Sequence, residues 1–245
     1  MTTVAVLCDP PRTGVLPGLD PSPLSAEDHV ALYGAMCADT VRAVEESAAD
    51  LIVNYRAEGE DPPEDLQTVV TDALDDPDAA RFEPQVGSTF SGRVGNTLTH
   101  LLETEEETSV IAIEPTAPFL ARGDVDGLAM KLRRNDVVLG PAPNGRVYAA
   151  AFGATIDFAD AYTAPAITTL TNRALDAGLD VDYAPMLPVL ETPADLAGAL
   201  GLIEARERAG RRVPEHTAAC LSGLGIGIEE DGNELTVSKA DTDRP

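Results

Sequence analysis

Residues 109–114 read Ser-Val-Ile-Ala-Ile-Glu, and this stretch carries the strongest indication of the fold. Consecutive apolar residues followed by a charged one are typical of a short strand buried on both faces of a sheet. Similar apolar runs stand at 3–8, 50–55, 136–139 and 147–152. Because both faces of such strands must be covered, the pattern predicts helices on either side of a mostly parallel sheet.

Helix-start signals lie between and after these strands. Ser25 followed by Asp28 has the spacing of a capping box, and apolar residues then recur at helical spacing. Thr192 is followed by Pro193 and by Asp195, which places a capping residue, a first-turn proline and an acidic third residue in order. The predicted fold class is therefore α/β: a three-layer α/β/α arrangement around a mostly parallel, Rossmann-like sheet.

The C-terminal part has a different pattern. Residues 224–228 and 234–237 flank Asp231-Gly232, which is typical of a hairpin, and residues 239–245 are expected to fray. The sequence thus predicts a small C-terminal β appendage. In sheets of this class ligands bind beyond the carboxyl ends of the strands. We therefore expect a site in the loops that follow Cys8, Glu114 and Leu139.

The composition is strongly acidic. The 245 residues include 42 acidic and 17 basic side chains, which give a formal net charge of -25, and Lys131 and Lys239 are the only lysines. Molar salt screens such a charge, so we expect a protein adapted to a cytoplasm rich in potassium chloride. The hydrophobic fraction of 44% argues against a disordered acidic chain. The lack of a basic patch argues against nucleic-acid binding.

Several other classes of site are not indicated. Cys8, Cys37 and Cys220 are far apart, and no Cys/His cluster has zinc spacing. No apolar run approaches the roughly 20 residues of a membrane span, and no secretory leader pattern opens the chain. We therefore expect a cytoplasmic protein with no membrane partner. The phosphate-binding loop, zinc-protease and nucleophile-elbow motifs are also missing from the sequence.

Five phrases in order resemble a known family. They are residues 8–19 with the helix that follows, residues 85–94, residues 114–120, residues 136–148 and residues 187–196. The most specific is DVVLGPAPNGRVY at 136–148, which is similar to the family pattern DvVlGPAxDGGyyliG. The chain resembles the DUF2064 group of predicted glycosyltransferases, which is related to phospholactate guanylyltransferase-like nucleotidyltransferases of the GT-A-type fold.

The resemblance implies a nucleotide-diphospho-sugar transferase-like α/β domain over residues 1–210 and an appendage over 211–245. It also implies a nucleotide or nucleotide-sugar ligand and, for an active enzyme, a Mg²⁺ or Mn²⁺ ion that neutralises the diphosphate. A homo-oligomer is compatible with this expectation. These implications make the departures from the family pattern informative.

The site positions of the family pattern are mostly altered. Of the basic residues in the first loop only Arg12 remains, and the resemblance implies that Arg12 and Gly14 contact the nucleotide. The aspartate of the family's GsD phrase is Thr116, and the aspartate of its DGG phrase is Asn144, which is followed by Gly145. The last acidic position survives as Glu191.

Each remaining candidate has two interpretations. Glu191 is a predicted metal ligand, or it only favours the helix N-terminus beside Thr192. Glu114 is a second predicted metal ligand, provided that a backbone shift lets it replace the lost aspartate. Asn144 and Gly145 contact the nucleotide or simply form a turn. Arg93 contacts a phosphate or lies on a solvated helix face.

Two functions from different classes follow. The first is an active glycosyl- or nucleotidyltransferase, with a metal held by Glu191 and Glu114 and with Arg12 or Arg93 on the phosphates. The second is a non-catalytic relative that binds a small ligand or a protein partner, since several charged site residues are lost together.

Overall fold

The computed structural model describes residues 2–57, 59, 61–231 and 234–239. Its strands are β1 (Thr2–Cys8), β2 (Asp50–Tyr55), β3 (Ala80–Pro84), β4 (Ser109–Ile113), β5 (Val137–Ala142), β6 (Arg146–Phe152), β7 (Val181–Tyr183), β8 (Ile226–Asp231) and β9 (Glu234–Lys239). Its helices are α1 (Ala26–Glu45), α2 (Glu64–Ala73), α3 (Phe90–Thr99), α4 (Arg122–Leu132), α5 (Ala166–Asp176), α6 (Pro193–Arg208) and α7 (Glu215–Gly223). A π-helical turn, His100–Thr104, continues α3. Within the described ranges, every helix is too short or too polar to cross a bilayer.

The central sheet has seven strands in the order β3-β2-β1-β4-β6-β5-β7. Strand β6 runs antiparallel to both of its neighbours, β4 and β5, whereas the other pairs are parallel. Strands β8 and β9 form a separate antiparallel pair. The predicted α/β class, the mostly parallel sheet and the small C-terminal β appendage are therefore confirmed.

The core consists of two apolar layers, one on each face of the sheet. In β4, Ile111 and Ile113 face the layer under α1, α2, α4, α6 and α7, while Val110 and Ala112 face the layer under α3 and α5. All four side chains are buried. Both faces of β4 are therefore covered, which is the expected reason for its run of consecutive apolar residues.

Both predicted capping boxes are present. At the start of α1, the Asp28 amide donates to the Ser25 hydroxyl (3.2 Å) and the Ser25 amide donates to the Asp28 carboxylate (2.9 Å). At the start of α6, the Asp195 amide donates to Thr192 Oγ1 (3.2 Å) and the Thr192 amide donates to Asp195 (3.0 Å). Each box satisfies two amides that the first helical turn leaves without partners.

Helix α7 was not predicted. Its N-cap residue is Pro214, which has no side-chain oxygen, so the sequence lacks the usual start signal. Instead, the Asp39 carboxylate of α1 accepts from the His216 amide (3.0 Å) and the Thr217 amide (2.8 Å). Ala218 and Leu221 of α7 are buried in the same apolar layer as α1.

The proposed division at residue 210 stays a prediction. Residues 232–233, which would form the tip of the predicted hairpin, and residues 240–245 of the predicted frayed tail lie outside the described part of the chain. The hairpin strands themselves pair from Ile226 opposite Lys239 to Asp231 opposite Glu234.

Candidate functional site

A cavity of about 520 Å³ opens at the carboxyl edge of the parallel strands. It is lined by Leu7, Asp9, Val15, Leu16, Pro17, Gly18, Tyr33, Phe90, Glu114, Pro115, Thr116, Asn144, Arg146, Glu191 and Thr192. A hollow of about 600 Å³ lies at the opposite edge, near Thr2 and Ser109, where β1 and β4 begin. We place the candidate site in the first cavity, because open α/β sheets bind ligands beyond the carboxyl ends of their strands.

The loop after β1 forms an apolar wall of this cavity. Leu16 adopts a left-handed backbone conformation (φ 56°), and its side chain is buried. The loop then passes so close to Glu191 that a Cβ atom at Gly18 would lie 2.5 Å from the Glu191 carbonyl oxygen. Only glycine fits there, so this part of the loop brings backbone rather than a charged side chain to the edge of the cavity.

Arg146, the first residue of β6, dominates the polar side of the cavity. Its Nη1 and Nη2 atoms donate to the two oxygens of Asp195 at 2.7 and 2.8 Å, which is the bidentate geometry of a strong ion pair. Nη1 also donates to Glu191 Oε2 at 3.0 Å, and Nε donates to the Pro143 carbonyl at 2.9 Å. The guanidinium therefore ties the start of β6 to the start of α6.

Glu191 is bonded through both of its carboxylate oxygens. Oε2 accepts from Arg146, and Oε1 accepts from the Thr116 hydroxyl at 2.8 Å. We call Thr116, Arg146, Glu191 and Asp195 the Arg146 cluster. Its two carboxylates stand at the N-terminal end of α6, where the helix dipole favours negative charge.

The cluster shifts the ionisation of its members. Burial opposes the charge on Asp195, but hydrogen bonds from Arg146 and Thr192 outweigh it, so the pKa of Asp195 is lowered. The hydrogen bond to Asp195 raises the pKa of Arg146, with burial opposing and Glu191 reinforcing the shift. Both changes favour the charged forms, so the ion pair persists throughout the neutral range.

Glu114 is the second notable acid of the cavity. It follows the last residue of β4 and is half-buried. Burial, and then the nearby charges of Glu191 and Asp9, raise its pKa from 4.5 to about 8, although Arg146 acts in the opposite direction. At neutral pH the Glu114 carboxyl is mainly protonated, and in that form it can donate a hydrogen bond to a ligand.

Four of the five predicted nucleotide-binding residues, Arg12, Gly14, Arg93 and Gly145, are not among those that line the cavity. Arg12 donates to Asp65 at 2.6 Å, and the left-handed Gly14 (φ 96°) lies two residues further along the same loop. Arg93 donates to Gln85 at 2.7 Å, and its guanidinium lies 5.8 Å from the centre of the Phe90 ring.

The other predicted residues meet at the cavity. Glu114, which follows β4, Asn144, which follows β5, and Glu191, which precedes α6, all line it. Asn144 is exposed, and both Asn144 and Gly145 have positive φ angles (62° and 75°) in the turn that joins β5 to β6. Asn144 and Gly145 therefore form a turn, which is one of the two interpretations given above. A contact from Asn144 to a ligand stays a prediction.

Sequence analysis missed Arg146 and the role of Asp195. A signal for Arg146 was available, because it stands where the family phrase DGG has its second glycine. An arginine in place of a glycine at the carboxyl edge of the sheet adds a long side chain and a positive charge to the site. Its pairing with Glu191, 45 residues away, could not be read from the sequence.

These residues do not fit a divalent metal ion. Glu191, the main predicted ligand, has one oxygen bonded to a guanidinium and the other to a hydroxyl. In the part of the chain that the structure describes, no three His, Cys, Asp or Glu side chains are grouped so as to hold a metal. Hard divalent cations require several free oxygen ligands, which the Arg146 cluster does not offer.

Comparison with known proteins supports the fold. No protein-family model matches the chain, and no curated protein matches it. A protein of Desulfovibrio desulfuricans G20, provisionally named a nucleotide-diphospho-sugar transferase, superposes with a TM-score of 0.75 at 19% identity; the match covers 91% of this chain and 94% of that one.

Two further solved structures are more distant. A cytidylyltransferase of Leptospira borgpetersenii has a TM-score of 0.52 at 8% identity, with 91% of this chain and 94% of that chain covered. The 4-diphosphocytidyl-2C-methyl-D-erythritol synthase of Anaerococcus prevotii has a TM-score of 0.50 at 13% identity, with 83% and 99% covered. The chain therefore has the nucleotide-diphospho-sugar transferase fold, and the narrower family resemblance stays a prediction.

Proposed function

We propose that this protein binds a small ligand in the cavity at the carboxyl edge of its sheet and does not carry out metal-dependent transfer there. The observation that carries the proposal is the pairing of Glu191 with Arg146 and Thr116. A site that must gather a metal and a diphosphate needs free carboxylate oxygens, and here those of Glu191 are already bonded.

The cavity itself supports ligand binding. Its volume is within the roughly 300–1,000 Å³ range of small-molecule pockets. Leu7, Val15 and Phe90 supply apolar and aromatic surface, while Asp9, Glu114 and Asn144 supply polar groups. Such a lining suits an organic ligand with an apolar or aromatic part and several hydrogen-bond donors.

A nucleotide or nucleotide-sugar is the ligand class to test first. The structurally similar proteins are named for nucleotide-diphospho-sugar and cytidylyl transfer. The acceptor groups of the cavity would receive hydrogen bonds from sugar hydroxyls or base N–H groups. The phosphates would then face the solvent, since the Arg146 guanidinium is already bonded to two carboxylates.

The second candidate function is an active glycosyl- or nucleotidyltransferase. The observation in its favour is Glu114, which is mainly protonated at neutral pH and stands in the cavity as a potential general acid. This function would require the ligand to bring its own cation or to react without one.

The test is a thermal-shift titration in molar potassium chloride with nucleosides, nucleoside triphosphates and nucleotide-diphosphate sugars. A ligand at about 100 times its dissociation constant stabilises the native state by roughly 2.7 kcal/mol. We expect a shift of the same size with Mg²⁺ and with a chelator. The shift should disappear in Val15→Trp, which fills the cavity, and persist in Val86→Trp, an exposed position that does not line it.

Two results would contradict the proposal. If none of these compounds shifts the melting temperature, the cavity is not a nucleotide or nucleoside site. If the shift requires Mg²⁺, and if a nucleotide-diphosphate sugar is consumed by the wild type but not by Glu191→Gln, the protein is a metal-dependent transferase instead.

A further inference from the structure

Arg146 is placed and bonded as a fixed component of the cavity. Its side chain is 22% exposed, and that of Asp195 is 8% exposed, so most of the ion pair is removed from water. Removing charges from water is costly unless they are paired and hydrogen-bonded. Arg146 meets this condition with two carboxylates and the Pro143 carbonyl, so its guanidinium is held on the polar side of the cavity.

Thr116 and Arg146 act on the same carboxylate from two directions. The Thr116 hydroxyl lies 2.8 Å from Glu191 Oε1, and Arg146 Nη1 lies 3.0 Å from Oε2. A metal ion at Glu191 would have to share a carboxylate oxygen with one of these donors and would meet the positive charge of the Arg146 guanidinium at close range. The side chains of Glu191 and Arg146 are 31% and 22% exposed, so both still contact the solvent of the cavity.

These two positions are also where the chain departs from the family phrases described above. The phrases have an aspartate at position 116 and a glycine at position 146, whereas this chain has a hydroxyl and a guanidinium. Each difference makes the surroundings of Glu191 more positive by one unit. Asn144, where the same phrases have an aspartate, removes one more negative charge from the lining of the cavity.

We propose that the Arg146 guanidinium occupies the place of a divalent metal ion in this cavity and makes ligand binding there independent of metal. The part concerning ligands rests on the proposed function, whereas the part concerning metal does not. A purely structural link between β6 and α6 is the competing explanation. The two explanations differ in what happens to metal affinity when the guanidinium is removed.

The test measures Mn²⁺ binding by the paramagnetic resonance signal of the free ion, in molar potassium chloride and without nucleotide. High salt suppresses diffuse binding to the acidic surface. We expect no Glu191-dependent binding by the wild type. Arg146→Met should bind Mn²⁺ at least about tenfold more tightly than the wild type. The double variant Arg146→Met with Glu191→Gln should lose that gain.

Arg42 provides a matched control. Its guanidinium also donates to both oxygens of one carboxylate, Asp75 (2.9 and 3.2 Å), and to a backbone carbonyl, that of Ala73 (3.1 Å). The Arg42 side chain is 32% exposed, and it does not line the cavity. Arg42→Met should therefore leave Mn²⁺ binding unchanged, because it frees carboxylates outside the site.

Two outcomes overturn the inference. One is Mn²⁺ binding by the wild type that Glu191→Gln abolishes. The other is an Arg146→Met variant that folds, by circular dichroism, but binds Mn²⁺ no better than the wild type. If Arg146→Met does not fold, Arg146→Gln replaces it, because the Gln amide can still donate to Asp195 without carrying charge.

The inference and the proposed function can fail separately. If Arg146→Met gains Glu191-dependent Mn²⁺ binding but the wild type shows no ligand shift, the role of Arg146 is retained and the ligand proposal is lost. The opposite result is a ligand-induced thermal shift that a chelator does not change, with no tighter Mn²⁺ binding by Arg146→Met. The ligand proposal is then retained, and Arg146 has a structural role only.

Discussion

The position of Glu114 in the fold changes the ionisation of its carboxyl group. It lies at the end of a central strand, half-buried and within the field of Glu191 and Asp9. Burial and like charge both penalise the ionised form, and Arg146 compensates only in part. The residue therefore brings a proton rather than a charge into the cavity at neutral pH.

The raised pKa of Glu114 predicts a pH-dependent stability. The folded state holds a proton with a pKa of about 8, whereas the unfolded chain releases it near 4.5. The extra stability is therefore complete below the unfolded pKa and is lost as the pH rises through about 8. Glu114→Gln has no carboxyl at this position and so does not lose stability in this way. The free energy of unfolding of Glu114→Gln, minus that of the wild type, should therefore rise by roughly 2–4 kcal/mol between about pH 5 and about pH 9.

Denaturant unfolding of both proteins at the two pH values measures the difference. Glu83→Gln is a suitable control, because Glu83 lies on the edge strand β3 and pairs with Arg81 away from the cavity. An equal offset between Glu114→Gln and the wild type at both pH values would contradict a raised pKa at Glu114.

At the scale of elements, α7 depends on a residue of another helix. A helix of nine residues has little stability of its own, and its N-cap residue, Pro214, offers no acceptor. The Asp39 carboxylate fills that role from α1 and accepts two of the free amides of α7. Burial raises the pKa of Asp39, while the hydrogen bonds from Thr217 and His216 act against that shift.

Asp39→Ala should therefore destabilise the protein by about 1–2 kcal/mol, the usual cost of removing a helix cap. The loss is expected to concentrate in α7, where hydrogen exchange of the His216 and Thr217 amides should become faster. Asp72→Ala, an exposed residue of α2, is the control and should change stability little. Equal unfolding free energies for the two variants would show that Asp39 does not cap α7.

At the scale of the whole molecule, charge is the dominant feature. The 42 acidic and 17 basic residues leave the surface strongly negative. Many basic side chains are used in exposed ion pairs such as those of Arg208 with Glu204 and Arg122 with Asp126, which contribute little in salt. The Arg146 cluster is more buried, so it is screened less than these surface pairs.

We predict that the melting temperature rises between about 0.1 M and about 3 M potassium chloride, because the Debye length falls from roughly 10 Å to below 3 Å and repulsion between surface carboxylates is screened. Scanning calorimetry over that range measures the effect. Sucrose, an excluded but uncharged solute, is the control for general compaction. A melting temperature that falls with salt, or that rises no more than in sucrose, would contradict adaptation to salt.

Much of the fold could be predicted from the sequence because its signals are local. The apolar run of β4 is buried on both faces, and the spacing of Ser25 with Asp28 and of Thr192 with Asp195 forms the expected capping boxes. Each of these signals depends on residues that are neighbours along the chain. These local signals were enough to predict the strands and most of the helices. The alternation of strands with helices then predicted the mostly parallel sheet.

The site was decided by the tertiary structure. Strand order brings the ends of β1 and β4, the start of β6 and the start of α6 to one edge, and only there do Thr116, Glu191 and Arg146 meet. The cap of α7 by Asp39 spans 177 residues in the same way. The sequence by itself determined most of the elements; the folded chain decided where α7 begins, which charges are paired and which carboxyl keeps its proton, because those depend on distance and burial.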